Sequence, residues 1–121
     1  MIVSKPRILV VDDDDMVLRS CERSLRLHGF EPVTAFNGKE AIKLAQEQEF
    51  DAVVSDVMMP RMNGLELRRA IIEKVPALDG KFVFVTGGHT PGLEVELKKY
   101  PHLQKPYSNK DLFALLQKMT E

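Results

Sequence analysis

The chain is poor in the residue types that mark several common protein classes. It contains one cysteine, Cys21, and no tryptophan in 121 residues. A single cysteine excludes an intrachain disulfide, so the sequence does not fit the small secreted domains that depend on such bonds. The formal net charge is only −1. A nearly neutral chain has no overall field that would draw it to nucleic acid or to an anionic membrane.

Long apolar runs are also missing. No apolar stretch approaches the ~20 residues that a membrane-spanning helix needs. The first residues, MIVSKPR, lack the apolar core of a secretory signal before Pro6. These absences predict a cytoplasmic protein that binds neither membrane nor nucleic acid directly. The length predicts a single domain over residues 1–121, because a chain of this size builds one hydrophobic core.

What the sequence does contain is a regular alternation of short apolar runs with amphipathic segments. The apolar runs predict strands at residues 7–11, 31–36, 51–55, 81–86 and, more weakly, 102–104. The amphipathic segments predict helices at residues 16–28, 38–48 and 64–75, and a short or irregular fourth helix within 87–101. A last helix is predicted to open at Ser108 and to carry Leu112, Leu115, Leu116 and Met119. The first and third strands are apolar at successive positions, as in strands that helices cover on both faces. This order predicts an α/β fold with a doubly wound parallel sheet.

Two of the predicted helices begin with a capping pattern. Asn37 is followed three residues later by Glu40, and Ser108 is followed three residues later by Asp111. In a capping box, the first side chain and the acidic side chain each accept a backbone N–H at the start of the helix. We therefore expect capping boxes at the second helix and at the last one.

Polar residues follow four of the predicted strands at the point where each strand ends. They are Asp12 and Asp13 after the first strand, Asp56 after the third, Thr86 on the fourth and Lys105 after the fifth. Ligands of open α/β sheets bind beyond the carboxyl ends of the strands, so these side chains should converge. Clustered carboxylates suit a hard divalent cation such as Mg²⁺, which prefers oxygen ligands. With a lysine to pair with an incoming phosphate, the set predicts phosphoryl transfer to a carboxylate.

Residues 12–15 are four consecutive aspartates, for which we predict two different roles. Asp12 and Asp13 are expected to face the edge of the sheet and the metal. Asp14 and Asp15 are expected at the start of the first helix, where the helix dipole favours carboxylates. If the metal relieves mutual repulsion, the metal-free protein should become more stable when Asp13 is replaced by asparagine.

Four stretches near the ends of predicted strands form a specific combination. They are ILVVDDD (8–14), DAVVSDVMMPRMNG (51–64), FVFVTG (82–87) and LQKPYS (103–108). Each is weak alone, but in this order they resemble the receiver domain of bacterial two-component response regulators over essentially the whole chain. The resemblance implies a flavodoxin-like fold whose five strands lie in the order 2-1-3-4-5.

The resemblance also implies a phosphorylation site and a metal site. By position, Asp56 would accept a phosphoryl group and form an aspartyl phosphate. Asp13 would ligate Mg²⁺ directly, with Asp12 assisting, and the backbone carbonyl of Met58 would be a further ligand. The implied metal site therefore comprises Asp12, Asp13, Asp56 and Met58.

Two more residues complete the catalytic set implied for Asp56. Thr86 would hydrogen-bond to the phosphoryl group and Lys105 would pair with it. The Lys105–Pro106 peptide bond is expected to be cis. Three residues before this lysine the family usually carries Tyr or Phe, whereas this chain has His102. His102 would then serve with Thr86 as the switch, and the stretch between Thr86 and Lys105 is short for the family.

The resemblance further implies partners. A sensor histidine kinase or a phosphotransfer protein would supply the phosphoryl group, and a downstream protein target would bind the altered face. The chain would be a signalling switch rather than a conventional enzyme, acting as a monomer or weak dimer. The sequence leaves open whether the chain acts alone or forms part of a larger regulator or hybrid kinase.

Two other functions remain open on the sequence. The stretch DDDMVL (13–18) fits the loose pattern of haloacid-dehalogenase-type phosphatases, with Asp13 as nucleophile and Asp15 as acid/base. Such enzymes carry a later acidic pair, which we do not find. A receiver fold could also serve as an interaction module that takes no phosphate. The complete set of strand-end residues disfavours that interpretation.

Overall fold

A single parallel sheet forms the centre of the computed structural model, which describes residues 4–121. Residues 1–3, which belong to the predicted domain and to the first segment, for which no secretory signal was predicted, lie outside the described residues. The strands are β1 (Arg7–Val11), β2 (Glu31–Ala35), β3 (Ala52–Asp56), β4 (Phe82–Thr86) and β5 (His102–Gln104). All pairs are parallel and the order is β2-β1-β3-β4-β5, which confirms the predicted topology. The third strand ends at Asp56, one residue beyond the predicted run.

Helices follow the strands in alternation. They are α1 (Asp15–Leu27), α2 (Gly38–Glu47), α3 (Gly64–Lys74), α4 (Glu94–Leu97) and α5 (Asn109–Met119). The fourth helix is a single turn, as the sequence predicts. The first helix starts one residue earlier than predicted, and a 3-10 turn at Pro76–Leu78 was not predicted. Within residues 4–121, no helix has the length and apolar character needed to cross a membrane.

Two hydrophobic layers cover the two faces of the sheet. On one face, Leu9 and Val53 are fully buried against residues of α2, α3 and α4. On the other face, Ile8 and Val54 pack against α1 and α5. Neighbouring residues of β1 and β3 thus enter different layers, which explains why these strands are apolar at successive positions. The buried central strands fix the positions of the residues that follow their carboxyl ends.

The predicted capping boxes form only in part. At α2, Asn37 Oδ1 accepts the Glu40 N–H at 2.8 Å, but the Glu40 carboxylate accepts the N–H of Phe36 at 3.2 Å instead of that of Asn37. At α5, the Ser108 hydroxyl accepts the Asp111 N–H at 3.1 Å. For both helices the first residue of the pair is therefore the N-cap, while the reciprocal bond of the box is not formed.

A complete capping box occurs at α3, where none was predicted from the sequence. Asn63 Oδ1 accepts the Glu66 N–H, and Glu66 Oε1 accepts the Asn63 N–H, both at 2.9 Å. We expect Asn63→Ala to lower the free energy of unfolding by about 1 kcal/mol, because it leaves an N–H of the first turn unpaired. Urea unfolding followed by circular dichroism measures this change. An unfolding midpoint equal to that of the wild type would contradict the proposed contribution of the cap.

Candidate functional site

The first part of the site is the turn between β1 and α1. Asp12 follows β1 directly and is only 2% exposed, whereas Asp13 is exposed. Asp12 donates its N–H to Ala35 O at 3.2 Å, and its Oδ1 accepts the Asp14 N–H at 2.9 Å. These two bonds hold the Asp12 carboxylate in place at the end of the strand. The two adjacent aspartates therefore differ in burial and in hydrogen bonding.

The next two aspartates belong to the helix, as predicted. Asp14 is the N-cap of α1, and its Oδ1 accepts the N–H groups of Met16 at 2.9 Å and Val17 at 3.4 Å. Asp15 is the first residue of α1 and pairs with Arg19, one turn further along, at 3.3 Å. Both carboxylates lie where the helix dipole is favourable. The expected division of residues 12–15 into two pairs is confirmed for this second pair.

Asp56 brings the third carboxylate to the same place. It is the last residue of β3 and is 8% exposed. Carboxylate oxygens of Asp12, Asp13 and Asp56 all lie within 4.8 Å of one another. Three oxygen ligands at this spacing can hold a divalent metal ion, and the predicted convergence of the strand ends is therefore observed.

Lys105 supplies the positive charge of the cluster. Its Nζ lies 3.3 Å from Asp12 Oδ2 and 3.8 Å from Asp56 Oδ1. The Lys105 side chain is 29% exposed, so it reaches the carboxylates from the solvent side of the pocket. The following peptide bond, Lys105–Pro106, is cis as expected.

Burial determines the electrostatics of the carboxylates. Removal from water and, next, the neighbouring Asp12 raise the pKa of Asp56 to about 6, although Lys105 acts to lower it. Burial likewise raises the pKa of Asp12, although the Asp14 N–H and Lys105 oppose this effect. In this cluster the positive charge of one lysine does not balance the negative charge of three carboxylates. A site of this kind favours an additional cation.

Thr86 lies at the carboxyl end of β4 and is 4% exposed. Its carbonyl oxygen accepts the Lys105 N–H at 2.7 Å, which ties the ends of β4 and β5 together. Its hydroxyl oxygen accepts the Gly88 N–H at 3.1 Å. Thr86 and Lys105 are thus fixed relative to each other by the backbone.

Two predicted site residues do not add side-chain charge to the cluster. Met58, predicted as a ligand through its backbone carbonyl, lies two residues beyond Asp56, and its side chain is 44% exposed. His102 is exposed at the start of β5, and its Nδ1 lies 2.8 Å from the carbonyl oxygen of Tyr100. The structure thus brings together Asp12, Asp13, Asp56 and Lys105 through side-chain distances, while it places His102 on the outer edge strand.

Gly64 shows why the loop after β3 requires its glycine. A Cβ atom on Gly64 would collide with the backbone oxygen of Asp56 and lie 3.1 Å from the Cα of Val57. The Gly64 N–H donates to Val57 O at 2.8 Å, so the start of α3 is held against the end of β3. The backbone of Asp56 is therefore supported directly by α3.

One buried polar pair behind the site was not predicted from the sequence. The Cys21 thiol and the Tyr107 hydroxyl lie close enough for each to influence the pKa of the other. Burial raises the pKa of the Cys21 thiol to about 11 and also raises the pKa of Tyr107, so both groups are neutral at physiological pH. No pattern in the sequence pairs these residues, because the contact joins α1 to the loop before α5. Both residues belong to the hydrophobic layer on the α1 and α5 face of the sheet.

The sequence is similar to signalling proteins over most of its length. The family model of the response regulator receiver domain matches residues 8–117. The transcriptional regulatory protein PrrA of Mycobacterium tuberculosis is 41% identical over 115 residues, covering 93% of this chain and 48% of PrrA. The sensor kinase CckA of Brucella abortus is 36% identical over 119 residues, covering 94% of this chain and 12% of CckA. The chain thus spans about half the length of PrrA and a smaller part of CckA.

Solved structures share this fold. Chemotaxis protein CheY4 of Vibrio cholerae has a TM-score of 0.85 and 29% sequence identity, with 96% of this chain and 99% of that chain covered. The receiver domain of the hybrid histidine kinase CckA has a TM-score of 0.79 and 29% identity, with 95% and 99% covered. On its sequence match and its fold, the chain belongs to the receiver domain family of two-component response regulators.

Proposed function

We propose that the chain is a phosphoacceptor switch in which Asp56 receives a phosphoryl group from a sensor histidine kinase or a phosphotransfer protein. One observation carries this proposal: the buried Asp56 carboxylate lies within 4.8 Å of two further carboxylates and 3.8 Å from Lys105. A buried carboxylate with both anionic and cationic neighbours is suited to act as a nucleophile toward phosphorus. The kinase itself is not identified by these residues.

The donor atoms of the site fit Mg²⁺. All three side chains in the cluster offer oxygen, and their uncompensated charge favours a small divalent cation. Asp13 and Asp56 would hold the ion directly with the backbone carbonyl of Met58, and Asp12 would assist. When bound, Mg²⁺ supplies charge neutralisation at the phosphoryl oxygens.

The residues of the chain have separate tasks in the transfer. A carboxylate oxygen of Asp56 forms a bond to phosphorus as the bond from phosphorus to the donor imidazole nitrogen breaks, and that nitrogen keeps the electron pair. Lys105 offsets negative charge on the phosphoryl oxygens, and the Thr86 hydroxyl donates a hydrogen bond to one of them. No general base is needed, because with a pKa of about 6 the Asp56 side chain is mostly ionised at neutral pH.

The output is a change of the surface around β4 and β5. The phosphoryl group would draw Thr86 toward Asp56 and shift an equilibrium between two arrangements, so that a downstream protein binds one of them. His102 on β5 is the proposed second switch residue, because it stands three residues before Lys105, where the family usually carries Tyr or Phe. We further propose that the protein works in the cytoplasm as a monomer or weak dimer.

Mass spectrometry of the intact protein tests the proposed function. We expect incubation with acetyl phosphate and Mg²⁺ to add one phosphoryl group, and incubation with acetyl phosphate and EDTA to add none. The metal requirement follows from the uncompensated carboxylates. A wild-type chain that gains no mass under either condition would contradict the proposal.

Beryllofluoride provides an independent test, because it imitates a phosphoryl group without a covalent step. With Mg²⁺ present, it should raise the thermal midpoint, since a ligand that binds only the folded state stabilises that state. If beryllofluoride with Mg²⁺ leaves the midpoint unchanged, the chain would instead be an interaction module that takes no phosphate.

A further inference from the structure

Gln104 lies over the loop that follows Thr86. Gln104 is the last residue of β5 and is in register with Thr86 on β4. A Cβ atom built on Gly88 would collide with the Nε2 atom of Gln104 and lie 3.1 Å from its Cδ. The carboxamide of Gln104 therefore occupies the space next to Gly88 that a side chain at position 88 would fill.

Gly88 is held in a backbone conformation that other residues rarely adopt. Its φ angle is +95°, and it follows another glycine, Gly87. Two consecutive glycines have wide conformational freedom, so the loop does not maintain this geometry by its own preferences. In the structure the Gly88 N–H nevertheless points at Thr86 Oγ1, at 3.1 Å. Outside the loop, the atoms nearest to the position of a Cβ on Gly88 belong to the side chain of Gln104, an exposed residue.

The hydrogen bond from Gly88 determines what the Thr86 hydroxyl can do. A hydroxyl has one donor proton and can accept through its lone pairs. Because the Gly88 N–H occupies an acceptor position on Oγ1, the remaining proton stays free to be donated elsewhere. A phosphoryl group on Asp56 offers acceptor oxygens only, so a hydroxyl prepared as a donor matches it.

We propose that Gln104 is a positioning residue for the phosphoryl group, acting through Gly88 on the Thr86 hydroxyl. This inference rests on the proposed function, since it specifies how the phosphorylated or beryllofluoride-bound form is recognised. Gln104 restrains Gly88, Gly88 donates to Thr86 Oγ1, and Thr86 donates to the phosphoryl oxygen. Gln104 itself need not touch the phosphoryl group.

The first test compares Gln104→Ala with Gln46→Ala, which removes an exposed glutamine of α2 on the surface of the domain. With Mg²⁺ present, we expect Gln104→Ala to weaken beryllofluoride binding about two- to tenfold, the range for losing one hydrogen bond, here the one that the Thr86 hydroxyl donates. Gln46→Ala should bind as the wild type does. Affinity for Mg²⁺ alone should be unchanged in both variants. Wild-type beryllofluoride affinity in Gln104→Ala would overturn the proposal.

A double-mutant cycle shows whether Gln104 acts through the hydroxyl. The variants are Thr86→Ala, Gln104→Ala and the combination of the two. If the proposed chain of contacts is correct, Gln104→Ala has no further effect on beryllofluoride affinity once the hydroxyl is absent. The same fold loss in both backgrounds would mean that Gln104 acts by another route, and the proposal would be wrong.

Amide hydrogen exchange separates this inference from the proposed function. We expect the Gly88 N–H to exchange faster in Gln104→Ala than in the wild type, with no phosphoryl analogue present. A wild-type protein that binds no beryllofluoride would contradict the proposed function. An unchanged exchange rate at Gly88 would contradict the inference, whatever the wild-type protein binds.

Discussion

Asp56→Asn is expected to abolish the gain of a phosphoryl group from acetyl phosphate and Mg²⁺. The substitution keeps the size of the side chain but replaces the nucleophilic carboxylate with an amide. Because Asp56 ends a fully buried strand, the variant keeps its place in the sheet and should fold. Intact mass spectrometry gives the result directly, as the presence or absence of one added phosphoryl group.

Asp15→Asn is the matched control for that substitution. Asp15 is the exposed first residue of α1 and pairs with Arg19 at 3.3 Å, so it lies on the helix surface. We expect Asp15→Asn to be phosphorylated as the wild type is.

Asp13→Asn should be phosphorylated more slowly and need more Mg²⁺, because it loses one oxygen ligand. If Asp56→Asn still takes up the label while Asp13→Asn does not, Asp13 would be the nucleophile and the proposed role of Asp56 would be wrong.

This comparison also addresses the phosphatase alternative. That hypothesis requires Asp13 and Asp15 to act on one substrate, as nucleophile and acid. The structure groups Asp13 with Asp12 and Asp56, and it places the Asp15 carboxylate beside Arg19 on α1. The family match over residues 8–117 argues in the same direction.

The site could be predicted from the sequence because the fold determines which residues meet. In a parallel doubly wound sheet the carboxyl ends of all strands lie at one edge, so identifying the strands is enough to bring Asp12, Asp56 and Lys105 together. The same rule places Thr86 beside Lys105. No knowledge of side-chain packing is needed for this step.

Contacts that depend on side-chain packing could not be predicted in this way. The sequence gives no sign that Asp12 and Asp13 differ in burial, whereas the structure buries the first and exposes the second. It gives no sign that Gln104 covers Gly88, because that contact depends on the register between β5 and β4 and on a positive φ angle. Local hydrogen bonds were likewise predicted only in part. The Glu40 carboxylate accepts the N–H of Phe36, whereas a capping box requires the N–H of Asn37.

The difference between Asp12 and Asp13 changes which substitution should relieve repulsion. The sequence alone points to Asp13→Asn as the change that stabilises the metal-free protein. In the structure, burial and the neighbouring Asp12 are the largest causes of the raised pKa of Asp56, and Asp13 is the smallest. We therefore expect Asp56→Asn to stabilise the metal-free protein more than Asp13→Asn does.

The metal-free protein should lose stability as pH rises through the carboxylate cluster. The pKa of Asp56 is about 6 in the folded state and has an ordinary value of 3.8, so between these values the folded state binds more protons than the unfolded state. Under that condition the free energy of unfolding falls as pH increases. About two pKa units correspond to roughly 3 kcal/mol between pH 4 and pH 7. Asp12, whose pKa is also raised, changes stability in the same direction.

Urea unfolding in EDTA at a series of pH values measures this effect, with Asp56→Asn as the reference. Other carboxylates titrate in both proteins, so the difference between the two isolates the contribution of Asp56. We expect Asp56→Asn to gain stability over the wild type from pH 5 to pH 7, and Mg²⁺ to reduce that gain by stabilising the wild type. A difference that stays constant across this pH range would show that Asp56 is not destabilised by burial. In that case the carboxylate cluster would not need a cation to relieve its charge, and uncompensated charge would not be the cause of metal binding.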